Sequence, residues 1–106
     1  MRAAAAAQAA GNKDIQGQAE GWIGYHYYSV KSFAEALTHL EKAVQLLEEK
    51  SAYLNNFLLM LGASYHQLKD YPNAEKYYKR LLDRDPNNKS AKDALENVKQ
   101  LKGQKK

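Results

Sequence analysis

The chain has 106 residues, 44% of them apolar and 26% charged, with two prolines, six glycines and a net charge of +4. That is at most one small domain, with the balance of a soluble globular protein and too few turn residues for an all-β sandwich. Cysteine is absent, which excludes disulfides, thiolate catalysis, zinc fingers and iron–sulfur clusters, and no window approaches the ~20 apolar residues of a membrane span.

The chain opens with Met1-Arg2 and the alanines 3–7. Alanine is the best helix former but a weak hydrophobe, so residues 1–16 read as an Ala-rich helix or a remnant rather than a secretory leader, with Gly11-Asn12 as the stop. Next comes a helix whose apolar positions are Ala19, Ile23, Tyr27 and Val30. Ser32, with Glu35 three residues on, predicts a capping box at the head of a second helix, whose face is Ala36, Leu37, Leu40, Ala43, Val44 and Leu47. Phe57, Leu58, Leu61, Tyr65 and Leu68 then mark a third helix at three- and four-residue steps.

Lys69-Asp70-Tyr71-Pro72 breaks that pattern, and proline is tolerated in a helix's first turn, so Pro72 starts a fourth helix. That helix carries Ala74, Tyr77, Tyr78, Leu81 and Leu82 on one side and Glu75, Lys76, Lys79 and Arg80 on the other. Asp85-Pro86-Asn87-Asn88 stops it. Ser90 begins a last helix with Ala91, Ala94, Leu95, Val98 and Leu101 inside, and Lys92, Asp93, Glu96 and Lys99 outside. A polar outer face is what the end of a stacked array requires.

The strongest signal is internal. Gly24 and Gly62, Tyr27 and Tyr65, Phe33 and Tyr71, Ala36 and Ala74, and Leu40 and Tyr78 all stand 38 positions apart. The chain therefore carries a tandem duplication, 17–54 and 55–88, followed by a capping helix and basic tail over 89–106.

The second unit reads Leu58-x2-Leu61-Gly62-x2-Tyr65, then Ala74-x3-Tyr78, then Asp85-Pro86. It resembles the tetratricopeptide repeat family, whose period is about 34 residues. The first unit shares Ile23-Gly24-x2-Tyr27 and Ala36-x3-Leu40, but has Glu20 in place of the large first residue, Trp22 displaced by two, and Glu48 in place of the closing proline. The resemblance covers about 72 of the 106 residues. It implies an all-α solenoid of two helix-turn-helix repeats with an N-terminal helix and a C-terminal capping helix. The extra four residues, about one helical turn, call for a second helix that runs past Leu47 or a longer linker near Glu48–Leu54.

The resemblance also implies a function: a non-enzymatic protein-interaction module, adaptor or scaffold, whose first helices line a concave groove for a peptide or protein. By position, the groove residues are Gln18, Gly21, Tyr25, Tyr28 and Ser29 from the first unit, and Asn56, Leu59, Ala63, His66 and Gln67 from the second. Trp22, Tyr25 and Tyr28 exceed what the repeat core needs, and Tyr and Trp favour binding surfaces; the alternative is that they pack against the Ala-rich N-terminal segment. The family's Lys/Asn clamp for an acidic C-terminal peptide is missing, because its places hold Gly21, Tyr25, Asn56, Met60 and Ala63.

Other chemistry has little footing. His26, His39 and His66 form no i, i+4 metal pair, Ser64 lacks a nucleophile elbow, and no phosphate loop is present. No cofactor or metal is expected. Asn88-Lys89-Ser90 matches a glycosylation sequon, a short and permissive motif. Residues 1–54 hold five basic against six acidic groups and residues 55–106 eleven against six, with Lys99, Lys102, Lys105 and Lys106 at the end. Lysines there complement the last helix's dipole, and nucleic acid is not the expected partner. A soluble, cytoplasmic setting is favoured. Two repeats fall short of the three or so that a stable array uses, so the alternative to an adaptor is a self-associating module, two copies pairing through the open repeat end, or a fragment of a longer repeat array.

Overall fold

The computed structural model describes residues 12–103, within which the chain forms five helices and no strand: α1 (Asn12–Ser29), α2 (Phe33–Leu46), α3 (Ala52–Gln67), α4 (Tyr71–Arg84) and α5 (Lys89–Gly103). The Ala run, Lys105 and Lys106 lie outside the described residues. Asn12 is helical and belongs to α1, so the predicted boundary between residues 16 and 17 falls inside one continuous helix.

Each helix packs on the next in sequence, and α3 also touches α1 and α5. The pairs are antiparallel. Gly17 lies against Leu47 while Gly24 lies against Leu40, and Gly62 meets Tyr78 while His66 meets Tyr71. The result is a stacked rod of 54 × 28 × 18 Å. Its larger core holds Leu40, Val44, Leu47, Leu54, Phe57, Leu58, Leu61 and Leu81, and a second cluster of Ala74, Tyr78, Leu95 and Val98 seats α5.

The duplication is visible in the backbone. Lys31 and Lys69, 38 positions apart, both have positive φ, 66° and 65°. Each follows a helix end at which the next residue's N–H reaches five residues back, Ser32 to the Tyr27 carbonyl at 2.8 Å and Asp70 to the Tyr65 carbonyl at 2.9 Å. That is a Schellman closure with lysine in the left-handed position that glycine fills at least cost. Lys69→Gly is therefore expected to raise stability by about 0.5–1 kcal/mol; a lower urea midpoint in the variant would contradict this.

Three helix starts use side-chain caps. Ser51 Oγ accepts from the Tyr53 N–H at 3.2 Å, Asp70 Oδ1 from Asn73 N–H at 3.4 Å, and Asn88 Oδ1 from Ala91 N–H at 2.9 Å. Asn88, the sequon residue, is thus occupied as the cap of α5, which begins at Lys89, one residue before the predicted start. The capping box at Ser32 does not form: Ser32 sits at the N-cap of α2 but its hydroxyl makes no cap bond. The Ser32 carbonyl still accepts the Ala36 N–H at 3.0 Å, and its own N–H is consumed by the Schellman closure.

The extra four residues do not prolong α2, which ends at Leu46. They fall in the 47–51 connection and in the first turn of α3, which starts before Asn55. Asp14 Oδ1 accepts the Glu48 N–H at 3.2 Å, and Arg84 Nη1 donates to Glu49 at 2.6 Å while its Nε donates to Asn55 at 2.6 Å. The longer linker is thereby fastened to both repeats.

The largest departure from expectation is the face α1 presents. Ala19, Ile23 and Val30 point to solvent, and only Tyr27 of the predicted stripe packs against the core. The buried positions are Gly17, Gly21 and Gly24. Glycines at i, i+4 and i+7 form a flat strip that lets the α1 backbone lie directly on α2 and α3. A Cβ on any of them would collide with Leu47, Phe57 or Leu40. Close backbone approach, rather than burial of large side chains, decides which side of α1 faces inward.

Candidate functional site

The seam between α1 and α3 carries a group of aromatic side chains. Trp22 packs edge-on against Phe57 at 5.3 Å, against Tyr53 at 5.9 Å and against Tyr25 at 5.9 Å between ring centroids. Phe57 is fully buried, whereas Trp22, Tyr25 and Tyr53 keep 46%, 46% and 38% of their surfaces exposed. Such edge-to-face contacts hold rings in fixed orientations and leave their faces free. The displaced Trp22 is explained by this geometry. Gly21 lets α1 sit on Phe57, and Trp22 then folds over the same ring, while Glu20 turns to α2 and pairs with His39 at 2.7 Å.

Toward the C-terminal ends of α1 and α3, Tyr28, Ser29, Lys31, Phe33 and Gln67 line a cleft of about 370 Å³. Tyr28 is held edge-on by Phe33 at 5.7 Å. Lys31 stands at the left-handed turn position, so the turn itself supplies a cation to this cleft.

The residues predicted for the groove are thus distributed over several environments. Trp22 and Tyr25 come together in the aromatic group, and Tyr28, Ser29 and Gln67 in the cleft. Gln18 donates to Asp14 at 3.0 Å, Asn56 is exposed, and Leu59 and Ala63 are half-buried, Leu59 bridging the two core clusters. Gly21 is buried against Phe57 and offers no surface. His66 is engaged elsewhere: one ring nitrogen lies 3.2 Å from the Tyr78 hydroxyl and the other 2.9 Å from Asn97 Oδ1, so it ties α3 to α4 and α5. Sequence reasoning missed Tyr53, Lys31 and Phe33. Tyr53 lies four residues before Phe57 on α3, a spacing that places it on the same face.

Polar links between helices hold this surface in place. The Tyr65 hydroxyl donates to Glu41 and its ring stacks on Tyr77 at 5.7 Å. Burial, reinforced by the bond to Glu41, pushes the Tyr65 hydroxyl well above the ordinary tyrosine range, and burial does the same to Tyr78. Both rings are therefore neutral packing elements at any physiological pH. Hydrogen bonds from Lys102 and Lys79 hold the Glu75 carboxyl below the usual carboxylate range, so an ionised Glu75 pins α5 onto α4.

The tetratricopeptide repeat profile matches residues 15–87. The chain belongs to the tetratricopeptide repeat family. Residues of this protein are also 36% identical over 72 positions to heat shock protein STI1 of Saccharomyces cerevisiae, an alignment covering 68% of the chain and 12% of that relative. The chain thus spans only a small part of the relative's length. Tetratricopeptide repeats are in general protein–protein interaction modules, and the all-α helical-repeat architecture expected from the sequence is the one observed. Among the described residues no helix is long and apolar enough to cross a membrane, and no group of three His, Asp or Glu side chains is placed to hold a metal ion.

Proposed function

We propose that this tetratricopeptide protein binds an extended segment of another protein along the α1–α3 seam, acting as an adaptor or scaffold. The observation that carries this reading is the half-exposed Trp22–Tyr25–Tyr53 group, anchored from beneath by the buried Phe57. Pre-oriented aromatic rings lose little side-chain freedom on binding and provide large apolar area, the property of interface anchors. An apolar side chain of the partner would lie on these rings. The cleft beside them, with Lys31 and Gln67, would take a carbonyl or carboxylate of the same segment.

The residues a reaction would need are occupied structurally. Ser64 is fully buried within α3, His39 is stacked on Tyr27 at 5.5 Å and bonded to Glu20, and His66 lies between Tyr78 and Asn97. Among these groups no nucleophile faces a base across a cavity, so the reading is non-catalytic.

The test is selection of peptides from a displayed random library on the immobilised chain. Selected peptides should shift Trp22 fluorescence and bind Trp22→Ala or Tyr25→Ala at least tenfold more weakly. Lys76→Ala, on the outer side of α4, should leave affinity unchanged. Peptides that bind the Tyr25→Ala chain as tightly as the parent would remove the seam from consideration.

A further inference from the structure

Charge is distributed unevenly around the seam. Helix α3 contains no Asp, Glu, Lys or Arg. On α1 the sole charged residue between Asp14 and Lys31 is Glu20, which is turned away to His39. In a chain where 26% of residues are charged, the two helices that form the seam thus keep it neutral. Lys31 is the exception. It is the one charged residue lining the cleft at the end of the seam, and its ammonium makes no ion pair among the described residues. Tyr28 and Gln67 line the same cleft, and neither the hydroxyl nor the amide has a hydrogen-bond partner among the described residues.

Helix C-termini carry partial negative charge, which would oppose an anion here, but their last carbonyls are closed. The Val30, Lys31 and Ser32 N–H groups bond the His26, Tyr28 and Tyr27 carbonyls at the end of α1. Leu68, Lys69 and Asp70 do the same for Ser64, His66 and Tyr65 at the end of α3. What remains is one full positive charge beside two unpaired neutral donors, the complement of a carboxylate. With the N–H groups of the turn spent, the cleft has no backbone nest for a terminal carboxylate, and its donors are side chains that a carboxylate on a side chain can enter among. Lys31 stands six positions after Tyr25, about 9 Å at the helical rise. An extended segment spans that distance with about three residues. We infer, resting on the peptide reading of the seam, that the bound segment carries an Asp or Glu side chain about three residues from its apolar anchor, paired with Lys31. The residues between are uncharged, because a charge there would be desolvated against α3 without a partner.

Peptides from a random library displayed with fused C-termini, selected on the immobilised full chain, test this. Those whose binding is weakened by Tyr25→Ala should share an Asp or Glu about three residues from an aromatic or aliphatic residue. Replacing that acidic residue by its amide, in the synthetic peptide with both ends blocked, should weaken binding about fivefold at low salt, and the loss should shrink as salt rises. The second repeat supplies a control. Lys69 has the same left-handed backbone at the equivalent turn but does not line the cleft. Lys31→Gly and Lys69→Gly therefore relieve the same strain. Only Lys31→Gly should weaken the acidic peptide, about fivefold, and abolish the difference between that peptide and its amide version. Tyr25-dependent peptides with no shared acidic residue, or an acidic peptide that the Lys31→Gly and Lys69→Gly chains bind alike, would overturn the pairing and leave the seam reading standing. A selection that yields no Tyr25-dependent peptide would overturn both.

Discussion

Replacing Gly21 by alanine is expected to cost about 2–3 kcal/mol of folding stability, a large fraction of what a domain of this size holds. A Cβ built on Gly21 would stand 2.2 Å from Cε2 and 2.3 Å from Cζ of Phe57. The Phe57 ring has nowhere to retreat, being fully buried with Trp22 packed edge-on against it. Relief requires α1 to lift from α3, which opens the seam and exposes Phe57. Alanine's better helix propensity offsets up to about 1 kcal/mol, and the expected cost is net of that gain. Urea unfolding followed by circular dichroism and by Trp22 fluorescence measures the loss. Shrinking the obstacle with Phe57→Leu should recover part of it, with a coupling energy of about 1 kcal/mol or more between the two positions. Gly103→Ala is the control, because a Cβ there meets nothing within 4 Å. Additive effects of the Gly21 and Phe57 changes would mean that the close approach is not what glycine provides at this position.

Gly21 also marks where sequence reasoning stops. Helix positions, turns and the duplication were legible because each leaves a periodic or local trace. The 38-residue offset reappears as two lysines with nearly equal positive φ, and Asp70 and Pro72 open α4 as helix-start chemistry requires. The face of α1 was not legible. It has both an apolar stripe and a glycine strip, and periodicity shows that two faces differ without saying which is buried. Ile15, Ile23 and Val30 would have been sound core residues; the fold instead uses the side with no side chains. Part of the candidate site was hidden for a different reason. His66 stands at a groove position, but its partners Tyr78 and Asn97 lie 12 and 31 residues away, and such pairings have no local signature. Tyr53 precedes the first repeat position of its own unit, in the additional turn that the longer period inserts.

Tyr78→Ala is the second large effect, expected at about 3–5 kcal/mol. Tyr78 heads the fully buried side chains by volume, and its ring fills the space that Gly62 leaves open, with a Gly62 Cβ falling 2.7 Å from its Cε1. Together with Ala74, Leu95 and Val98 it forms the cluster on which α5 rests. Ala91, in the first turn of α5, also enters the larger core, and the remaining ties are polar: Glu75 to Lys102, and His66 to Asn97. Polar ties at a surface contribute about 1 kcal/mol or less each, so they do not hold a helix whose apolar seat is gone. The cavity should therefore release α5 before the rest of the rod unfolds. Amide hydrogen exchange reads this directly: in Tyr78→Ala, protection should fall in 89–103 far more than in α2 and α3. Tyr78→Phe separates the ring from the hydroxyl, and should cost only about 1 kcal/mol, for the contact with His66, and leave α5 protected. If α5 stayed protected in the alanine variant, the Glu75 and His66 links would be what docks it. The buried cluster would then be filling space between α4 and α5 without holding them together.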